Sequence, residues 1–341
     1  MRLPNNKDLS ISKLSAVFRN TSATYKFYWF WALIEAIESG KTEIDKKEIF
    51  ARMISLSWYT VNYFKVSFGK QDLLQKAISD IKVIEAMPID CKKAEIIRAL
   101  KSSDNSVINK TLYHFDLNVP HKFLSPWLGS GSKKAVYKAS QEYKNDCIYA
   151  LFNDKIIVSE NWKTYLLNNA GVIKAFIFWH LSLFLQNKNP NVPNIPNKII
   201  KPATRGSLAL HKTKYWDIVI KELGGIDCIY TGKKLYQKGY AVEHFLPYQF
   251  LTHDLMWNLI PADGGFNSSK SDKLPPLDTY FDKFYDIQKI GFEIIKDKSK
   301  KNKFLEDYLS IFPELEIEKA KYKEYLVPLF TIAHNNGFSY L

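Results

Sequence analysis

Apolar positions recur every three or four residues through the first third of the chain, the period of helices with one buried face. TYKFYWFWALIEAIES, residues 24 to 39, predicts an aromatic helix ending before Gly40. EIDKKEIFARMISLSWYTVNYF predicts a second helix, with Ile49, Phe50, Met53, Ile54 and Trp58 on its apolar face and Lys46, Lys47 and Arg52 opposite. Further helices are predicted over 70 to 84 and 92 to 110, so residues 1 to 120 read as a helical N-terminal module. Between 111 and 160 the period is lost, and CIYALFNDKIIVS predicts a β-hairpin turning at Asn153-Asp154. A helical pair is predicted from 160 to 187. Its AGVIKAFIFWHLSLFLQ stretch is interrupted by Lys174 and His180 and reads as a buried helix rather than a membrane span. NKNPNVPNIPNK, with Pro190, Pro193 and Pro196, predicts an extended, semi-rigid linker that closes a mixed region over 121 to 200. KYWDIVIKEL, 214 to 223, predicts a helix with Trp216, Ile218, Val219 and Leu223 turned inward. LDTYFDKFYDIQKIGFEIIKDK predicts a long amphipathic helix, and 286 to 341 a helical, basic C-terminal extension containing the lysine run KDKSKKNK.

The pattern changes most sharply between Cys228 and Pro275. YAVEHFLP is β-branched and aromatic and predicts a strand; MWNLIPA predicts a second. Gly264-Gly265 predicts a break, and FNSSKSDKL a short helix stopped by Pro275. Strand, loop, strand and helix in that order bring Glu243, His244 and Asn267 to one point. Tyr230, Leu235, Phe245, Leu246, Phe250, Leu255, Trp257, Leu259 and Ile260 are the candidate core, with Cys228 a small buried residue beside them.

EHFLP, WNLIP and NSSKSDKLP resemble the HNH endonucleases, the ββα-metal nucleases, and the CIYTGKKL lead-in is similar to the HNH domain of RNA-guided CRISPR nucleases. The resemblance implies an α+β fold, mostly helical, with a ββα-metal (HNH) finger inside a nuclease domain at 201 to 285. It implies metal-dependent hydrolysis of phosphodiester bonds, DNA first among the substrates. His244 would be the general base, since a neutral imidazole with a reference pKa of about 6.5 takes a proton near neutral pH. Glu243 and Asn267 would supply oxygens to Mg²⁺, for which Mn²⁺ may substitute. Asn258 would tie down the loop that carries the histidine, and Lys270, one turn past Asn267, would contact a phosphate. His253, Asp254, Asp263 and Asp272 read as surface residues, with Asp254 a substitute ligand should Glu243 point away. Only Cys228 stands where many HNH proteins carry paired cysteines, so no structural zinc is expected.

Charge and cysteine content narrow the partners. The 341 residues carry a formal net charge of +13, which suits an anionic partner, nucleic acid or a membrane surface. Lysine dominates; Arg2, Arg19, Arg52, Arg98 and Arg205 are the arginines. In the N-terminal module Glu43, Asp45 and Glu48 intersperse the basic residues, so a helical support competes with a nucleic-acid-binding module. GSGSKK, 129 to 134, is not a P-loop and reads as a flexible basic loop, though its N–H groups and lysines could cradle a phosphate. Cys91, Cys147 and Cys228 are odd in number and far apart, and MRLPNNKDLS lacks a signal-peptide pattern, so a cytoplasmic protein without disulfides is expected. A homodimer or a protein partner is compatible with one active site per chain. A non-catalytic nucleic-acid-binding subunit on a degenerate finger and an RNase or tRNase toxin remain alternatives, and a defence or restriction role is an expectation from family habit.

Overall fold

The computed structural model describes residues 2–341, which divide into two compact units. One takes in the chain up to Pro190 with Ile195–Ala203; the other takes in Asn191–Asn194 with Thr204–Leu341.

The first unit is helical around a small sheet. Its helices are α1 (Tyr25–Glu38), α2 (Lys46–Asn62), α3 (Leu73–Ile84), α4 (Lys93–Ser102), α5 (Ser106–His114), α6 (Lys133–Ser140), α7 (Glu160–Asn168), α8 (Ala170–Lys188) and α9 (Ile195–Ile200). Strands β1 (Glu43–Asp45), β2 (Tyr149–Leu151) and β3 (Lys155–Val158) form an antiparallel sheet in the order β1-β3-β2. The aromatic helix forms as its pattern predicts, and Tyr28, Trp29 and Phe30 are fully buried. Trp29 Nε1 donates to Tyr149 Oη, which donates to the Pro120 carbonyl, so the indole enters the core with its polar atom met.

Four expectations are corrected here. Glu43–Asp45 opens the second helical segment as a strand, because it pairs with β3, and the Asp45 carboxylate then caps α2 by accepting from Lys47 N and Glu48 N. That pairing turns the start of α2 inward: Lys46 N donates to the Asp154 carbonyl, and Lys46 is buried rather than on an exposed face. Its Nζ reaches Asp116 Oδ1 (2.8 Å), Tyr137 Oη (2.5 Å) and the Asn153 carbonyl (3.2 Å). The helix predicted over 92 to 110 is interrupted at Ser103–Asn105, where the Asn105 side chain caps α5. The proline-rich segment is a turn and a helix rather than an extended linker, since Pro196 sits in the first turn of α9, where a missing N–H costs nothing.

The second unit contains α10 (Asp217–Leu223), β4 (Ile226–Asp227), β5 (Lys234–Leu235), β6 (Tyr240–His244), β7 (Leu259–Asp263), α11 (Gly264–Lys270), α12 (Leu277–Lys298) and α13 (Lys319–Asn335). A π-helical turn at Lys212–Trp216 leads into α10, burying Trp216 and Val219 but leaving Leu223, expected inside, 42% exposed. Gly291 of α12 lets that helix approach Trp216: a Cβ there would stand 3.0 Å from the indole. Gln288 of α12 donates to the carbonyls of Met256 and Leu259, and Phe245 stacks on Phe284 with centroids 3.9 Å apart. The long helix therefore supports both ends of the loop between β6 and β7. Among the described residues no helix is long and apolar enough to cross a membrane.

Candidate active site

β6 and β7 run antiparallel, with Glu243 opposite Ile260 and His244 opposite Leu259. Alternation along YAVEH puts successive side chains on opposite faces, so Glu243 and His244 leave the strand in different directions. After β7, Asp263 Oδ1 accepts from Gly265 N (2.9 Å) and Phe266 N (3.5 Å). Asp263 is thus the N-cap of α11, and the two glycines begin that helix instead of breaking the chain. Asp263 N also donates to Cys228 Sγ (3.4 Å), which holds the buried cysteine against the strand end.

The imidazole of His244 is 2% exposed and bound at both nitrogens. Nε2 lies 2.8 Å from Asp254 Oδ1, and an Arg205 guanidinium nitrogen lies 3.2 Å from Nδ1. A guanidinium only donates, so Nδ1 accepts and carries no proton; Nε2 carries the hydrogen and donates it to the carboxylate. The geometry thus assigns a neutral imidazole whose one lone pair is at Nδ1. His211 stands near the same carboxylate: burial pushes its pKa down, while the Asp254 charge and a hydrogen bond to the Asp254 backbone push it up.

Glu243 is 3% exposed, and its Oε1 accepts from Lys270 Nζ at 2.7 Å. Lys270 also donates to the His244 carbonyl at 2.9 Å. Lys270 is fully buried, so the expected phosphate contact is replaced by an ion pair that ties α11 to β6. Burial pushes the Lys270 ammonium down, opposed by the Glu243 charge. Asn258, also fully buried, accepts from Leu246 N and donates to Leu246 O, both at 2.8 Å, while its own carbonyl accepts from Phe245 N. These three bonds fix the two residues after the histidine. Asn267 is half-buried on α11, and its side chain makes no hydrogen bond within the protein.

Residues 228–276 match the family model for HNH endonucleases. The HNH segment includes Glu243, His244, Asp254, Asn258, Asn267 and Lys270; Arg205 lies upstream of it. No curated protein and no solved structure matches the chain. The match supports nuclease activity on nucleic acid, a class that generally uses divalent metal ions.

Among the described residues no group of three or more His, Cys, Asp and Glu is placed to hold a metal ion. Mg²⁺ does not require one, because it retains several waters and takes one or two protein oxygens beside substrate phosphates. Glu243 keeps Oε2 free of hydrogen bonds, and the Asn267 amide is unbonded, so the donor set is hard oxygen and fits such an ion in kind. Asp254, expected at the surface, and Arg205, which no motif marks, both contact the His244 ring. Arg205 has one signal: it is the sole arginine after Arg98, among many lysines.

Proposed function

We propose that the second unit is a metal-dependent endonuclease centre that hydrolyses phosphodiester bonds in DNA, leaving 5′-phosphate and 3′-hydroxyl ends. The observation that carries this reading is the pair of contacts on the His244 ring, Arg205 at Nδ1 and Asp254 at Nε2. An approaching phosphate draws the Arg205 guanidinium to its oxygens, where bidentate donation is favoured, and that releases Nδ1. His244 Nδ1 then takes a proton from the attacking water. The new P–O bond forms as the bond to the 3′ oxygen breaks, and the leaving oxygen takes a proton from solvent. Asp254 stabilises the imidazolium and keeps the ring oriented, as a carboxylate behind a histidine base does in other hydrolases. Glu243 through Oε2 and Asn267 through its amide oxygen would hold the divalent ion, which when bound polarises the phosphate and stabilises charge on the leaving oxygen. Lys270 holds Glu243 in place, and Asn258 fixes the backbone behind His244. The likeness of the lead-in to RNA-guided nucleases belongs to the same reading.

The test is supercoiled plasmid with Mg²⁺ or Mn²⁺, using wild type, His244→Ala and a chelated sample, with a parallel single-stranded RNA arm. Nicking by wild type alone supports the proposal. Cleavage by His244→Ala equal to wild type sinks it, and cleavage of RNA without DNA overturns the substrate.

A further inference from the structure

The first unit holds a cavity of about 730 Å³ that the nuclease reading does not use. Its size falls in the roughly 300–1,000 Å³ range of small-molecule sites and is far larger than a single ion needs. Four segments meet around it: the turn leading into α1, Gln71 and Leu73 at the start of α3, the stretch from His114 to Ser125, and the glycine-serine loop at Gly129–Gly131 with Val136 after it.

Its chemistry is one-sided. Lys26 and Lys122 line the cavity, and no carboxylate does. Lys26 Nζ bonds only to the carbonyls of Val17 and Asn20, each at 3.3 Å, and Lys122 Nζ to the Asn118 amide oxygen at 3.1 Å. Both ammonium groups therefore have only neutral partners. Burial pushes the Lys26 pKa down, and the charge of Lys122 pushes it further the same way, so the two cations repel across this space. Asp72 and Asp116, the carboxylates that act on the surrounding groups, are already committed. Asp72 accepts from Thr24 N and Leu74 N, and Asp116 pairs with Lys46 and Lys133.

Residues with unserved donors line the same space. α1 begins here with no cap from the Thr24 side chain and no acid in its own first turn, although Asp72 accepts from Thr24 N at that end. The N–H groups of Ser22, Ser130 and Gly131 donate to nothing in the protein. Gly129, with φ of +69° and open space where a Cβ would stand, lets that loop turn without a side chain filling the cavity. His121 is 9% exposed, and its Nδ1 has no hydrogen-bond partner; His114 Nε2 is also buried and unmet. Both histidines line the cavity, so a ligand or solvent held there can meet these nitrogens.

The structure assigns to this cavity a phosphate-bearing small molecule of nucleotide size. The lysine pair and the open N–H groups take the phosphate, and Tyr25, Leu73 and Val136 give the remainder an apolar wall. An anion there removes the repulsion between Lys26 and Lys122 and meets donors that no other group serves. This assignment is independent of the chemistry at His244.

Isothermal titration of the full chain, with chelator present, against ATP, GTP, AMP and inorganic phosphate tests it. At least one nucleotide is expected to bind with a Kd below about 1 mM. Lys26→Gln/Lys122→Gln should weaken it at least about tenfold, and Lys122→Glu, a charge reversal at an exposed lysine that leaves the core untouched, should do the same. His244→Ala should bind as wild type does. The assignment is overturned if no nucleotide binds, if phosphate alone binds, if binding survives in Lys122→Glu, or if His244→Ala abolishes it.

Discussion

An Arg205 guanidinium nitrogen lies 3.2 Å from His244 Nδ1 and covers the one lone pair that could accept a proton from water. In the free protein the candidate base is therefore capped by a cation that an incoming phosphate would attract. Arg205→Ala uncovers the ring but removes a phosphate ligand. Plasmid-cleavage kinetics should show kcat/KM lower by about tenfold or more, with the loss carried mainly by KM. A variant faster than wild type at every substrate concentration would make Arg205 a brake without a binding role.

Asp254 and Arg205 together set which nitrogen of His244 bears hydrogen. In Asp254→Asn the amide can donate to Nε2 and shift the proton to Nδ1, the atom the reaction needs bare. Cleavage should fall about 10–100-fold while the unfolding midpoint barely moves. Nitrogen-15 NMR of the imidazole separates this from loss of structure: wild type should show the proton on Nε2 and the variant a population with it on Nδ1. An unchanged tautomer together with unchanged cleavage would remove Asp254 from the site.

The Lys270–Glu243 pair is buried on both sides, so removing one partner leaves an uncompensated charge. Lys270→Met should destabilise the protein by about 3–5 kcal/mol in urea unfolding. The double variant Glu243→Gln/Lys270→Met should recover much of that loss, since no ion then remains buried. A single-variant loss below about 1 kcal/mol would mean that water reaches the pair.

Local chemistry explains what could be read ahead of the structure. Alternation in YAVEHFLP and the β-rich LIPA made β6 and β7 legible, and the following polar run made α11 legible, because each signal lies within a few residues. The hairpin at Asn153-Asp154 was legible for the same reason. What sequence hid were pairings between distant segments. Arg205 meets His244 across 39 positions, and Lys46 meets Asp116 across 70. Glu43–Asp45 has a helical pattern and becomes a strand only because β3, more than a hundred residues later, offers an open edge. Lys270 carried the opposite problem. Its place one turn past Asn267 implies a shared helix face, but which way a long flexible side chain turns depends on whether a carboxylate waits inside, and Glu243 does.

Acid should weaken the first unit through Glu48. Its carboxylate is 4% exposed and pairs with Lys41, Arg52 and Lys101 at 2.5, 2.9 and 2.8 Å. Burial alone would raise its pKa, but hydrogen bonds from Lys101, Lys41 and Arg52 outweigh that and hold it at about 2, against an ordinary value of 4.5. A folded-state pKa below the unfolded one gives stability that is full above about 4.5 and is lost as pH falls through about 2. The shift corresponds to about 1–3 kcal/mol once screening at the half-exposed lysines is discounted. Urea unfolding of wild type and Glu48→Gln at a series of pH values checks this. The variant should be less stable by that amount at pH 7, and the two curves should converge as the carboxylate protonates. Since Lys101 belongs to α4 and Arg52 to α2, the same titration should loosen the contact between those helices first, seen as faster amide exchange there than in α8. A gap between the two proteins that persists below pH 2 would show that Glu48 acts by packing and not by charge.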